Sequence, residues 1–300
     1  MDSIAAPELE ALVDRYYEPG DLTRKRQSYL ASYARVLSGR RNEALAILEL
    51  GVSSGASLLC WRDYLPNATI IGIDIAAPPE RILGQDRIIV IRGSQDDPLT
   101  LDKAAQAAGR PFDLIVDDAS HIGYLAKRSM HYLFPRWLAP GGWYVIEDFG
   151  TGFLPEYPDG TAFSQPDWTD AQPGTREFHS SQFGMVGVVK QLIDHIMQDV
   201  MTGTPSYLAI KRLVVEGNIA FIEKAATPGG AWPGYITHAP RPRAEVESPP
   251  TAPLVASPVP PVVQATLANH ADRIGELERV IGSLRKILAP ALRLRRLMRR

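Results

Sequence analysis

Cysteine is almost missing from this chain, with Cys60 the single example in 300 residues. That excludes an intramolecular disulfide and any cysteine-rich metal site, and it fits a reducing compartment. Cys60 itself reads as a small buried hydrophobe on the helix after the first strand. A long apolar run is missing near the start as well: MDSIAAPELEALVDRYYEPG carries acids and no sustained hydrophobic stretch. The segment is read as neither a signal peptide nor a membrane span, and a cytoplasmic location is expected. Residues 1–263 hold 23 Lys/Arg against 31 Asp/Glu and show no basic stripe, which argues against nucleic acid as a partner. Residues 264–300 hold nine Lys/Arg against three Asp/Glu, so the net charge of −2 combines an acidic body with a basic tail. Against these absences stands a hydrophobic content of 45%, enough to bury the core of one large domain or two modest ones.

Residues 1–41 read as a helical segment punctuated by Pro7, Gly20 and Gly39. Within it, Leu22–Leu37 spaces Tyr29, Tyr33, Val36 and Leu37 at helical intervals, and its aromatics are expected in the core rather than on a ligand. Ala46–Leu50 (AILEL) has a buried-strand pattern and leads through GVSSGAS into the apolar helical run LLCWRDYL. Strand, glycine turn and helix leave backbone N–H groups free and let a ligand approach closely. No Gly-Lys-Ser/Thr follows, so the turn is not a P-loop. Thr69–Ile75 reads as a second strand carrying Asp74, about twenty residues past the turn, where a carboxylate can accept the hydroxyls of a ribose. Arg87–Arg92 makes a third strand and opens into GSQDD at Gly93–Asp97, a polar loop suited to an adenine edge.

The densest chemistry lies between Phe112 and Asp148. Phe112–Val116 and Trp143–Ile146 read as strands four and five, joined by a helix at Tyr124–Trp137 and a turn at Pro140-Gly141-Gly142. Each strand delivers a pair of acids at its C-terminal end, Asp117-Asp118 and Glu147-Asp148, and His121 follows Asp118 by three residues. Parallel strands share one C-terminal edge, so these groups converge there. Hard oxygen ligands at one point suggest a divalent cation, and the imidazole suggests a general base. The plainer reading has the acids capping a helix and lining a solvated turn; against it, acids gathered at one edge repel one another unless a cation offsets them.

Residues 149–183 lack a clear period and read as a substrate lid or insertion. Gly184–Met201 is helical, and Tyr207–Leu213 with Ile219–Lys224 form a final hairpin, which places a domain at residues 42–226. Eight prolines among the 25 residues Ala239–Val263 mark residues 227–263 as a linker. Beyond it, residues 264–300 repeat Leu267, Ile274, Ile281 and Leu288 every seventh position, with Leu277 and Leu284 between and His270 interrupting the seam. That pattern suggests a short coiled coil, hence a homo-oligomer. Its basic amphipathic end suits peripheral contact with an anionic membrane.

The combination LELGVSSGASL, IIGIDI, GSQDD, VDDASH, YVIEDF and IAFIEK, covering roughly residues 22–225, resembles the class I S-adenosylmethionine-dependent methyltransferases. More narrowly it resembles the metal-dependent sugar O-methyltransferases of macrolide biosynthesis, of the mycinamicin and macrocin type, and the related cephalosporin hydroxylase family. The resemblance implies an α/β, Rossmann-like sheet with helices on both faces. It further implies S-adenosyl-L-methionine as methyl donor, Mg²⁺ or another divalent cation on Asp118, Glu147 and Asp148, and His121 as base. On the cofactor side it implies Glu49 and Gly51 near the methionine amine, Ser57 near its carboxylate and Asp74 on the ribose. Ser94 and Gln95 would lie near the adenine, and Asp117 would face the cofactor. The acceptor would be a hydroxyl of a sugar, a glycosylated small molecule or a saccharide. Two residues depart from the family pattern, Ala56 and Ala119, each standing where glycine is usual. The rival readings are a small-molecule hydroxylase, against which the missing two-His-one-carboxylate pattern argues, and a non-catalytic assembly protein acting through its C-terminal helix.

Overall fold

The apolar runs assemble into one seven-stranded sheet in a computed structural model that describes residues 6–21, 23–154, 156–162, 184–202 and 206–226. In chain order the elements are α1 (Ala6–Tyr16), α2 (Gln27–Leu37), β1 (Ala46–Leu50), α3 (Ala56–Tyr64), β2 (Thr69–Asp74), β3 (Ile88–Arg92), α4 (Pro98–Ala108) and β4 (Phe112–Asp117). There follow α5 (Gly123–Trp137), β5 (Leu138–Glu147), α6 (Pro158–Ala162), α7 (Gly184–Thr202), β6 (Ile210–Glu216) and β7 (Ile219–Lys224). The sheet order is β3-β2-β1-β4-β5-β7-β6. Strands β1 to β5 pair in parallel, whereas β7 runs antiparallel to both β5 and β6. Because the chain steps outward from β1 to β3 and then returns to lay β4 beside β1, the strand order reverses there and opens a crevice at the strand ends.

Strands β1 and β4 are buried along their whole length, as central strands covered on both faces must be. Alternation sends Ile47, Leu114 and Val116 to one core, with Tyr33, Leu58 and Trp61. It sends Leu48, Ile115 and Ile146 to the other, with Met130 and Leu192. Helices α1, α2 and α3 therefore cover one face and α4, α5 and α7 the opposite one. Cys60 is buried on α3 as expected, and burial together with Glu49 pushes its thiol up to about 12. Helix α4 begins where Asp97 accepts from the N–H groups of Leu99 and Thr100, with Pro98 opening its first turn.

Three expected boundaries move. Pro140-Gly141-Gly142 lies inside β5 rather than before it: Leu138 pairs with Phe112 and Trp143 with Leu114, and the surplus residues bulge from the ladder with Gly141 at φ 74°. The first strand of the hairpin starts at Ile210, because residues 206–209 turn before it. Within 149–183 the described part forms a short 3-10 segment, Phe149–Phe153, and α6, where the sequence shows no period. The proline-rich 227–263 and the heptad pattern in 264–300 lie outside the described residues. Among the described residues no helix is long and apolar enough to cross a membrane.

The glycine turn after β1 is held close to the end of β4. Gly51 adopts φ 94°, and a Cβ there would lie 2.1 Å from the Asp118 carbonyl oxygen. Gly51→Val should therefore lower the urea midpoint, since the backbone conformation alone costs about 1–3 kcal/mol for a branched residue and the β4 end must also shift. An unchanged midpoint would mean that the turn relaxes freely.

Candidate functional site

Three parallel strand ends deliver the acids to one edge: Glu49 from β1, Asp117 and Asp118 from β4, and Glu147 and Asp148 from β5. Asp118, His121 and Asp148 form the tightest group, each offering one ligand atom within 4.8 Å of the others. Both His121 and Asp148 hold the left-handed backbone conformation, at φ 53° and 51°. Such strain in non-glycine residues persists where the surroundings over-determine it. Asp148 Oδ1 accepts from Tyr29 Oη at 2.7 Å and from Asn218 Nδ2 at 3.0 Å. His121 Nε2 lies 3.9 Å from Asp118 Oδ1, while its Nδ1 is buried without a hydrogen-bond partner among the described residues. Two hard carboxylates beside an unpartnered imidazole nitrogen fit a divalent cation.

Glu147, expected among the metal ligands, is not in that group. It is 2% exposed, and its Oε1 accepts from Lys25 Nζ at 2.7 Å and Tyr33 Oη at 2.5 Å. Lys25 Nζ also lies 3.0 Å from Asp118 Oδ2 and 3.1 Å from Glu49 Oε1. Burial disfavours the ammonium, but Asp118, Glu147 and Glu49 outweigh it and hold Lys25 well above the usual lysine range. Burial and Asp118 push Glu147 upward, and Lys25 and Tyr33 pull it back. Lys25, Tyr29, Tyr33 and Asn218 are the residues that sequence reasoning missed. The two tyrosines do belong to the buried layer, yet their hydroxyls serve the acids. The available signal was the charge imbalance of the acidic edge, part of which an interior lysine offsets.

Two cavities flank this edge. One, of about 350 Å³, is lined by Gly51, Asp74, Ser94 and Gln95, four of the residues expected at a cofactor. The other, of about 420 Å³, is lined by Ser57, Lys25, Tyr29, His121, Glu147 and Asp148, with Arg24 and Tyr157 further out. Ser57 thus sits on the acidic side rather than with the other cofactor candidates. Gly51, Ser53, Asp118 and Ala119 line both cavities. Glu49 and Asp117, expected near the cofactor, line neither cavity. Glu49 is closed in by Lys25 and by Trp61 Nε1 at 3.0 Å, and Asp117 by Tyr144 Oη and Gln95 Nε2, each at 3.1 Å. Both side chains are enclosed in the layers beside the sheet. Burial raises the Asp117 carboxyl to about 7. Gln95 carries this support outward, accepting from Ser120 N at 3.2 Å.

No protein-family model matches the chain. It is 32% identical over 247 residues to the demethylmacrocin O-methyltransferase of Streptomyces fradiae, covering 77% of this chain and 57% of that one. It is 31% identical over 208 residues to the 8-demethyl-8-(2-methoxy-alpha-L-rhamnosyl)-tetracenomycin-C 3'-O-methyltransferase of Streptomyces olivaceus, covering 65% of this chain and 48% of that one. Among solved structures, the MycE methyltransferase of the mycinamycin pathway, in complex with Mg, SAH and mycinamycin VI, superposes with a TM-score of 0.61 at 32% identity, over 78% of this chain and 57% of that one. The chain is a homologue of these O-methyltransferases. Its sheet is the class I methyltransferase sheet, with strand reversal and terminal antiparallel hairpin in place. The homology spans only about half the length of the relatives.

Asp74 holds the glycine turn as well as lining the cavity. Its Oδ2 accepts from Val52 N at 2.8 Å and Ser53 N at 3.1 Å, and its Oδ1 from Ala76 N at 2.8 Å. Burial opposes ionisation, yet the N–H groups of Ala76, Val52 and Ser53 prevail and hold the carboxyl below its ordinary value. The folded pKa lies below the unfolded one, so this stabilisation is complete above the unfolded value and is lost as pH falls through the folded value. Asp74→Ala should cost about 1–3 kcal/mol at neutral pH, with the difference from wild type shrinking in acid. Urea unfolding at several pH values measures it, and a pH-independent difference would refute the ionic origin.

Proposed function

We propose that this chain is a metal-dependent O-methyltransferase that moves a methyl group from S-adenosyl-L-methionine to a hydroxyl of a sugar, a glycosylated small molecule or a saccharide. The observation that carries the reading is the seam between the two cavities, where Gly51, Ser53, Asp118 and Ala119 are shared. A donor in the smaller cavity and an acceptor in the larger would meet beside Asp118 and His121. On the donor side, Asp74 has carboxylate lone pairs left for ribose hydroxyls, Ser94 and Gln95 would border the adenine, and Gly51 leaves room for close approach. On the acceptor side, Asp118 and Asp148, supported by Glu147, are the residues that would hold Mg²⁺. Bound there, the ion would chelate neighbouring hydroxyls and make the attacking one more acidic.

His121 accepts the proton of that hydroxyl as its oxygen forms the bond to the methyl carbon. The carbon–sulfur bond breaks in the same step, its electron pair stays on sulfur, and S-adenosylhomocysteine is left. The walls contribute alignment, which is a large share of such catalysis. A second reading, in which His121 is itself a metal ligand, is favoured by its place in the 4.8 Å group from which Glu147 is absent. His121→Ala separates the two. As the base, its loss lowers kcat by roughly 10²–10⁴-fold with Mn²⁺ affinity kept; as a ligand, its loss weakens Mn²⁺ binding first. Full methyl transfer in EDTA to a soluble glycoside, with S-adenosylhomocysteine binding intact, would sink the metal-dependent mechanism.

The remaining chain is assigned by proposal from its sequence: residues 1–41 as a helical segment, 42–226 as the catalytic domain, 227–263 as a linker, and 264–300 as a basic helix that self-associates or lies on an anionic surface. A chain ending at residue 226 should stay folded and active on a soluble acceptor while losing self-association or anionic-liposome binding. If neither property changes, the role given to the basic segment is wrong.

A further inference from the structure

Lys25 is a residue of the acidic edge to which the methyl-transfer reading gives no part. Its side chain is 3% exposed, and the carboxylates of its partners Glu49 and Glu147 are 0% and 2% exposed. Three carboxylates surround its ammonium: Glu147 at 2.7 Å and Asp118 at 3.0 Å accept hydrogen bonds from it, and Glu49 Oε1 lies at ion-pair distance, 3.1 Å. They come from three neighbouring parallel strands, β5, β4 and β1. That is the arrangement of a bound cation, with a lysine stem as its tether.

We propose that Lys25 is a positioning residue that serves as a built-in cation: its ammonium fills a second cation position among Glu49, Asp118 and Glu147, and so limits the edge to a single divalent ion. The inference rests on the metal reading above. Asp118 shows how the two positions divide, since its Oδ2 meets Lys25 at 3.0 Å while its Oδ1 lies 3.9 Å from His121 Nε2. With Oδ2 committed to Lys25, Oδ1 is the oxygen that Asp118 would have left for a divalent ion.

Burial leads to the same place. Without the ammonium, two carboxylates that are almost wholly buried would face each other unpaired, which is strongly unfavourable in a protein interior. A second divalent ion is the species that could replace it, because the three carboxylate groups already converge on the point that Nζ occupies.

The test uses the full chain and Mn²⁺ as the probe. Bound Mn²⁺ is counted by electron paramagnetic resonance, and the melting temperature is recorded with and without the ion, for wild type, Lys25→Met and Lys25→Arg. Wild type should bind one Mn²⁺ per chain. Lys25→Met should take up a second, or fold only when Mn²⁺ is present, and its melting temperature should rise more on adding Mn²⁺ than that of wild type. Lys25→Arg keeps the charge and should return the count to one. A residue that merely fills space would lower the melting temperature of Lys25→Met without altering the ion count or the Mn²⁺-induced rise, and that result would overturn the proposal. So would two ions on wild type, or a Lys25→Met chain that stays unfolded in Mn²⁺, because then a metal cannot take the place of the lysine. Wild type binding no Mn²⁺ would instead remove the metal from the proposed function; in that case Lys25→Met gaining an ion would still uphold the role of Lys25, and its gaining none would end it.

Discussion

Three carboxylates from three strands share one buried ammonium, and the architecture of the edge depends on that ion cluster. Parallel β1, β4 and β5 cannot avoid bringing Glu49, Asp118 and Glu147 together at their C-terminal ends, given where the acids fall in each strand. In a low-dielectric setting their mutual repulsion would push the strand ends apart or force protons onto them. Lys25 removes that choice. It also ties the segment before α2 to the sheet, so the wall of the larger cavity is anchored by the same interaction that holds the acids.

The acids then divide by depth. Glu49, Asp117 and Glu147 are buried and spend their oxygens on Trp61, Gln95, Tyr144, Tyr33 and Lys25. Asp118 and Asp148 are partly exposed at the cavity. Adjacent residues at a strand end take opposite directions, so each acidic pair contributes one member to the layer and one to the crevice or its rim. The arrangement resembles a support shell under a working shell: Tyr29 and Asn218 orient Asp148, Lys25 orients Asp118, and the strained backbones of His121 and Asp148 are held by the elements around them.

Much of this was legible in the residues. Short apolar runs predicted β1, β2 and β4 to within a residue, because local pattern determines them, and four residues singled out in the sequence as cofactor candidates, Gly51, Asp74, Ser94 and Gln95, line the smaller cavity. The bulge at Pro140-Gly141-Gly142 was read as a turn, since Pro and Gly signal chain reversal and only the pairing of Leu138 with Phe112 shows that the strand has already begun. The depth of each acid was not legible either: Glu49 and Asp117 differ from Asp118 in direction, not in type. Least visible was Lys25, which sits in the run Arg24-Lys25-Arg26, where a solvated basic face is the ordinary expectation. Its partner Glu147 lies 122 positions away in the chain, and no local pattern encodes that pairing.

The seam between the cavities adds a geometric constraint to the chemistry proposed for them. In-line transfer needs donor and acceptor to approach within van der Waals contact through an opening that water does not fill. Here Gly51 and the Asp118 backbone, which both cavities share, stand so near that no side chain fits at residue 51. Ala119 belongs to the same frame, as it lines both cavities. The frame is rigid because Asp74 fixes one rim through three backbone N–H groups and Lys25 fixes the other through the Asp118 carboxylate. A charge device and a glycine turn thus hold Asp118 and Gly51, residues that both cavities share, and a change in either would be felt where the proposed donor and acceptor sites adjoin.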